Sequence, residues 1–184
     1  METLDAIMTR RSVPRVGDRV PDEATIAKLL DAAVRAPTHH ITEPWRFIVL
    51  RGDARHGLGA AWAAGVERSG KSSEGVAAKA LRAPAIICVI ARPKTHLPKV
   101  VELEEHHAVG AAIQNVLLAA HALGLGAMVR TGPPASSEEV RAYLGLEATE
   151  LVAGFVYLGY PLDDNDRPLT RRADAASLTE WRDS

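Results

Sequence analysis

From Ala108 to Leu123 the chain carries a helix that is apolar nearly all round: Val109, Ile113, Val116, Leu117, Leu118 and Leu123, with alanines between them. A helix without a polar face has no side to give to water and must be covered by other elements or by a second subunit. Gly110, Ala111, Ala112, Ala119 and Ala120 keep its surface low enough for close packing. Symmetric dimers are the commonest oligomers, so one side of this helix is expected to meet another copy of the chain. The pattern extends back to about Val101 and predicts the most buried element of the fold over 101–123. Gln114, Asn115 and His121 interrupt the apolar run, which is too short and too polar to span a bilayer.

The remaining segments alternate between helix and strand. Pro21-Asp22-Glu23 opens a helix bearing Ile26, Leu29, Leu30, Ala33 and Val34 on one face, and Pro37 stops it. Phe47 to Leu50, Ala85 to Ala91, Ala127 to Val129 and Leu151 to Leu158 read as strands. Ala54 to Val66 reads as helix, and Ser136-Ser137-Glu138-Glu139 as the cap of a helix through Tyr143. The polar, glycine- and serine-rich stretch from Glu67 to Gly75 is the most linker-like part. Interspersed helices and strands in 184 residues predict one layered α+β or α/β domain over 1–184.

Charge excludes one function class. With 22 Lys and Arg against 23 Asp and Glu, the net charge is -1, whereas nucleic-acid binders show a strongly basic face. The lone Cys88 lies in an apolar run and reads as a small buried hydrophobe, so no disulfide framework is expected. The beginning of the sequence lacks an apolar signal segment, and a cytoplasmic location is expected.

Arg10-Arg11-Ser12 follows a short amphipathic stretch with Leu4, Ile7 and Met8 at helical spacing. Two forked guanidinium groups beside a hydroxyl match the oxygens of a phosphate. Glu102, Glu104, Glu105, His106 and His107 form a second polar cluster. Adjacent histidines on a helix point about 100° apart and the HExxH spacing is missing, so the cluster reads as a polar first turn with one Glu102–His106 pair, and no metal is expected. Trp62 and Trp181 read as core or interface aromatics.

Two more segments join Arg10-Arg11-Ser12. One runs from Arg35-Ala36-Pro37-Thr38-His39 through Pro44-Trp45-Arg46-Phe47; the other runs from Val109 to Arg130 and contains Gly124-Leu125-Gly126. In this order and spacing the three resemble the nitroreductase family of FMN-dependent oxidoreductases over about residues 1 to 160, most closely its small, minimal branch. The resemblance implies an α+β layered fold, a central mainly antiparallel sheet (strands near 46–51, 85–91, 126–130 and 151–158) surrounded by helices. It also implies a homodimer with FMN at two interface sites. By position, Arg10, Arg11 and Ser12 would hold the FMN phosphate and ribityl chain. Arg35 and His39 would approach from the loop after the second helix, and Val129, Arg130 and Thr131 would contact the flavin. Arg171 and Arg172 would complete the phosphate site.

The implied activity is electron transfer from NAD(P)H through FMN to a nitroaromatic, quinone or similar acceptor, by a ping-pong scheme. Arg35, His39 and Arg130 are the expected stabilisers of negative charge on the N1–C2=O edge of the ring. Ile41 and Glu43 depart from the family's Asn and Gln, and Glu43 reads as a surface residue before the Pro44 turn. Gly124-Leu125-Gly126 is not a dinucleotide fingerprint and does not distinguish NADH from NADPH. The competing classes are a flavin-binding protein without turnover and a metal-dependent hydrolase built on the Glu/His cluster.

Overall fold

Strands β1 (Trp45–Arg51), β2 (Ala85–Ala91), β3 (Gly126–Arg130) and β4 (Leu151–Gly159) pair into one antiparallel sheet in the order β1–β2–β4–β3. In this computed structural model residues 1–162 and 169–183 are described. Among these the helices are α1 (Thr3–Thr9), α2 (Glu23–Ala33), α3 (Ala54–Arg68), α4 (Glu102–Ala122) and α5 (Glu138–Leu144), with short 3-10 turns between them.

The sequence of β2, Ala-Ile-Ile-Cys-Val-Ile-Ala, offers nothing to water and takes the centre, with every residue buried. Side chains alternate across a strand, so Ala85, Ile87, Val89 and Ala91 meet α2 and α4, while Ile86, Cys88 and Ile90 meet α3 and α5. The result is three layers, with one hydrophobic cluster on each face of the sheet. The sequence-based strand positions and the antiparallel sheet therefore hold.

One expectation is corrected. In the single chain β2, not the 101–123 helix, is the most buried element. A helix lying on a sheet is covered on one side only: α4 buries Val109, Ala112, Val116, Leu117 and Ala120, yet leaves Gly110 and Gln114 open and Leu103 61% exposed. Likewise α1 buries only Ala6 and turns Leu4, Ile7 and Met8 outward. Trp62 belongs to the core, whereas Trp181 is exposed.

Local sequence explains the boundaries. Asp22 caps α2 by accepting the Thr25 N–H at 2.7 Å, and Ser137 caps α5 by accepting that of Val140. The α5 helix closes on Gly145 at φ 60°, the left-handed conformation glycine adopts without steric cost. Gly59 lets α3 approach the 3-10 turn Ala77–Leu81, because a Cβ there would sit 2.5 Å from the Ala77 carbonyl oxygen. No described helix is long and apolar enough to cross a membrane.

Candidate functional site

The two ends of the described chain meet beside β3. Val13 donates its N–H to the Ala127 carbonyl at 3.0 Å, and Gly17 donates to that of Tyr160 at 2.9 Å. These bonds carry residues 13–17 from the outer edge of β3 at Ala127 across its first residue to Tyr160, just past β4, and place the preceding basic cluster next to β3. Arg10 leaves α1 in extended conformation (φ -58°, ψ 133°), which turns the chain away from the helix. Arg10, Arg11 and Ser12 then share a cavity of about 330 Å³ with Leu169, Thr170 and Arg172. Of the two C-terminal arginines, Arg172 lines this cavity and Arg171 does not.

His121, in the last turn of α4, stands at the back of the basic cluster, its Nε2 2.9 Å from Thr9 Oγ1. Burial first, then the charges of Arg10 and Arg11, pull its pKa below the usual histidine value. A neutral imidazole among arginines marks a locally positive field ready for an anion.

Further along β3 lie Val129, Arg130 and Thr131. Backbone groups alternate in direction along a strand, and the Ala127 carbonyl faces the outer edge to meet Val13. The N–H and C=O of Val129, two residues on, face the same edge beyond the end of that cover. The side chains divide: Val129 packs towards Ile113 of α4, while Arg130 turns to the other face and holds its guanidinium 5.2 Å over the Tyr157 ring. Arg130 Nε is buried without a hydrogen-bond partner. Val129, Arg130 and Thr131 all border a second cavity, of about 450 Å³, on the α3 side of the sheet.

His39 occupies a third place. With Thr38, His40, Glu104 and His107 it lines a depression of about 420 Å³ over the start of α4, and its Nδ1 lies 3.6 Å from Glu104 Oε2. The loop is strained: His40, Ile41 and Glu43 have φ of 53°, 53° and 47°, unusual for residues with a Cβ. Thr42 secures it by donating at 2.6 Å to Glu105, which is 1% exposed and also accepts the Lys94 N–H at 3.0 Å. Sequence reasoning placed Glu105 in a polar helix turn and missed this role; a lone carboxylate in an acidic run gives no sign that two loops will close over it. Glu43 is exposed, as expected of a surface residue, and Glu102 pairs with His106 at 3.6 Å. Arg35 is exposed just past α2 and borders none of these three cavities.

Arg10, Arg11, Ser12 and Arg172 thus stand together, with Val129–Thr131 next along the same strand. His39 does not join them within one chain. Its depression reaches Ala108 on α4 and the basic cluster reaches His121, about 20 Å apart at 1.5 Å per helical residue. Among the described residues no group of three or more His, Cys, Asp or Glu stands together as a metal site.

Comparison with known proteins places this geometry. Residues 7–160 match the nitroreductase family. The chain is 32% identical over 164 residues to YdjA of Escherichia coli K12, provisionally named an NAD(P)H nitroreductase, covering 88% of this chain and 89% of that one. A protein of Archaeoglobus fulgidus, provisionally named NADH dehydrogenase/NAD(P)H nitroreductase, is 33% identical over 170 residues, covering 90% and 88%. A nitroreductase-like protein from Bacillus cereus superposes with a TM-score of 0.87 at 24% identity, covering 100% of this chain and 97% of the other. A provisionally named nitroreductase from Desulfovibrio desulfuricans, solved with FMN, superposes with a TM-score of 0.77 at 29% identity, covering 99% and 98%.

Proposed function

The chain belongs to the nitroreductase family, and on that premise we propose that it is an FMN-dependent oxidoreductase that takes electrons from NAD(P)H and passes them to a nitroaromatic, quinone or similar acceptor. The observation that carries this reading is the cavity in which Arg10, Arg11, Ser12 and Arg172 converge from opposite ends of the chain beside the open edge of β3. A phosphate carries nearly two negative charges and takes several guanidinium bonds. A strand edge supplies the alternating donors and acceptors that the polar rim of a flavin ring requires.

In this reading Arg10, Arg11, Ser12 and Arg172 hold the phosphate end of FMN, with Arg171 beside them. Val129, Arg130 and Thr131 hold the ring along the strand edge. The Arg130 guanidinium is engaged over Tyr157, so its contribution to that edge is backbone. FMN, when bound, supplies the hydride and electron chemistry, and no acid–base triad is required. Arg35 and His39 supply positive charge or N–H donors to the N1 edge from a second subunit. A homodimer across α4 explains how residues about 20 Å apart in one chain reach one cofactor. It also covers the outward faces of Leu4, Ile7, Met8 and Leu103. NAD(P)H and the acceptor then use one open face in turn, so initial-rate plots should be parallel.

The deciding experiment is an absorbance spectrum of the purified protein, followed by anaerobic titration with NADH and with NADPH. A flavin spectrum that bleaches on titration is the expected result. Colourless protein containing zinc would favour the hydrolase, and yellow protein inert to both nucleotides would leave a flavin carrier. Light scattering of the same sample should return twice the 19.7 kDa chain mass.

A further inference from the structure

We propose that Glu105, acting through Thr42, is a positioning residue that sets the His39 imidazole at the cofactor, a role that rests on the flavin contact proposed for His39. Glu105 is 1% exposed and lies in the first turn of α4. Its Oε1 accepts the Thr42 hydroxyl at 2.6 Å and its Oε2 accepts the Lys94 N–H at 3.0 Å. Thr42 in turn donates its own N–H to the His39 carbonyl at 3.2 Å. The His39 ring faces the neighbouring carboxylate, with Nδ1 3.6 Å from Glu104 Oε2. His39 is therefore tied to the same helical turn twice, at its backbone by way of Thr42 and Glu105, and at its ring by Glu104. The loop after β2 braces the clamp, because Arg92 also donates its N–H to the Pro44 carbonyl at 2.8 Å.

What the clamp holds points to its purpose. A buried carboxylate and a left-handed backbone at residues with a Cβ both cost stability. His40, Ile41 and Glu43 carry that backbone strain, yet of residues 39–43 only Thr42 is buried. Ile41 is 82% exposed, whereas a loop kept for its packing would turn that side chain inward. The His39 side chain is 63% exposed over the depression that it shares with Glu104 and His107. Buried polar bonds and stored strain are thus spent on fixing an exposed imidazole, which is what a ligand-contacting group requires.

The test compares Thr42→Val, Thr42→Ser and Glu105→Gln, with His39→Ala as the reference. Glutamine keeps the size of Glu105 but offers one acceptor oxygen to two donors. In the FMN-free protein, amide-exchange protection at position 42 reads the bond to His39, and the His39 ring resonances read its placement. Thr42→Val and Glu105→Gln should lower that protection at least about tenfold, the loss of about one hydrogen bond, and shift the His39 resonances. Thr42→Ser, which keeps the hydroxyl, should preserve both. An unchanged Trp62 indole resonance verifies that each variant folds. In the FMN-loaded protein, the flavin potential and the FMN dissociation constant should move in Thr42→Val and Glu105→Gln as they move in His39→Ala. Thr42→Val should add nothing further in the His39→Ala background. The proposal is overturned if protection and the His39 resonances are unchanged in both variants. It is equally overturned if the loop loosens while potential and affinity stay put, or if Thr42→Val moves them as much without His39. Protein that takes up no FMN, or His39→Ala that changes neither quantity, overturns the flavin contact of His39 and this proposal with it. Failure in the FMN-free measurement overturns this proposal alone.

Discussion

His121 links the basic cluster to solution conditions. Its charged form is disfavoured by burial and by Arg10 and Arg11, so in the free protein it should titrate below the ordinary histidine value. Because the folded pKa is lowered, the unfolded chain takes up the proton first. The stability held by the neutral ring is therefore complete above the unfolded value of about 6.5 and is lost as pH falls below it. An anion seated on the arginines reverses the field, so phosphate or FMN should raise the His121 pKa, a change visible in its ring-proton NMR shifts. An unchanged titration would place the anion elsewhere. Arg10→Ala should weaken FMN by about 1.5–3 kcal/mol, and Arg10→Ala/Arg11→Ala by about that amount for each charge-assisted bond lost. Equilibrium dialysis measures it, and unchanged FMN content in the double variant would refute the phosphate assignment.

At the scale of the element, the His39 loop is strained and α4 restrains it. Thr42→Val removes the hydroxyl but keeps its shape, leaving a buried Glu105 oxygen without its donor. The expected loss is about 1.5–3 kcal/mol in urea unfolding. An unchanged midpoint would mean that the bond does not hold the loop. The same loop carries the proposed flavin contact. Arg35→Ala and His39→Ala should each lower the flavin potential by about 30 mV, since 30 mV is about 1.4 kcal/mol for a two-electron couple, the size of one good donor. Spectroelectrochemistry on the two variants reads it. If both keep FMN and the potential of the unchanged protein, these residues position the cofactor without tuning it.

Across the whole molecule, Arg46 of β1 donates to Glu150, just before β4, at 3.0 and 2.6 Å, and Glu150 also accepts the Glu147 N–H at 3.0 Å. The Arg46 bond leads in holding the Glu150 carboxyl below its ordinary value of 4.5. A carboxylate lowered in the folded state stabilises above its unfolded pKa, and that contribution is lost as pH falls through the folded pKa. Asp22 and Glu139 shift in the same direction. Urea midpoints should therefore drop below about pH 4.5. Glu150→Gln should be less stable at neutral pH and show a shallower acid decline; an equally steep one would assign acid sensitivity to other carboxylates.

Elements were legible wherever the chain's own periodicity carried the information. The unbroken apolar run of β2 read as a strand, the all-round apolar face of α4 demanded cover, and Asp22 and Ser137 announced helix starts. The basic cluster Arg10-Arg11-Ser12 was legible too as a candidate anion cradle, since guanidinium chemistry does not depend on the fold. Tertiary structure alone decided which distant residues share a cavity. Arg172 comes to share a cavity with Arg10, whose following residues are tied to Ala127 of β3 and to Tyr160 past β4, and Glu105 closes two loops because both happen to cross α4. It also parted Val129 from Arg130, because the pleat sends successive side chains to opposite faces once the sheet fixes which face is which. Local patterns record the period of each element, but contacts between elements depend on packing that no short stretch of sequence contains.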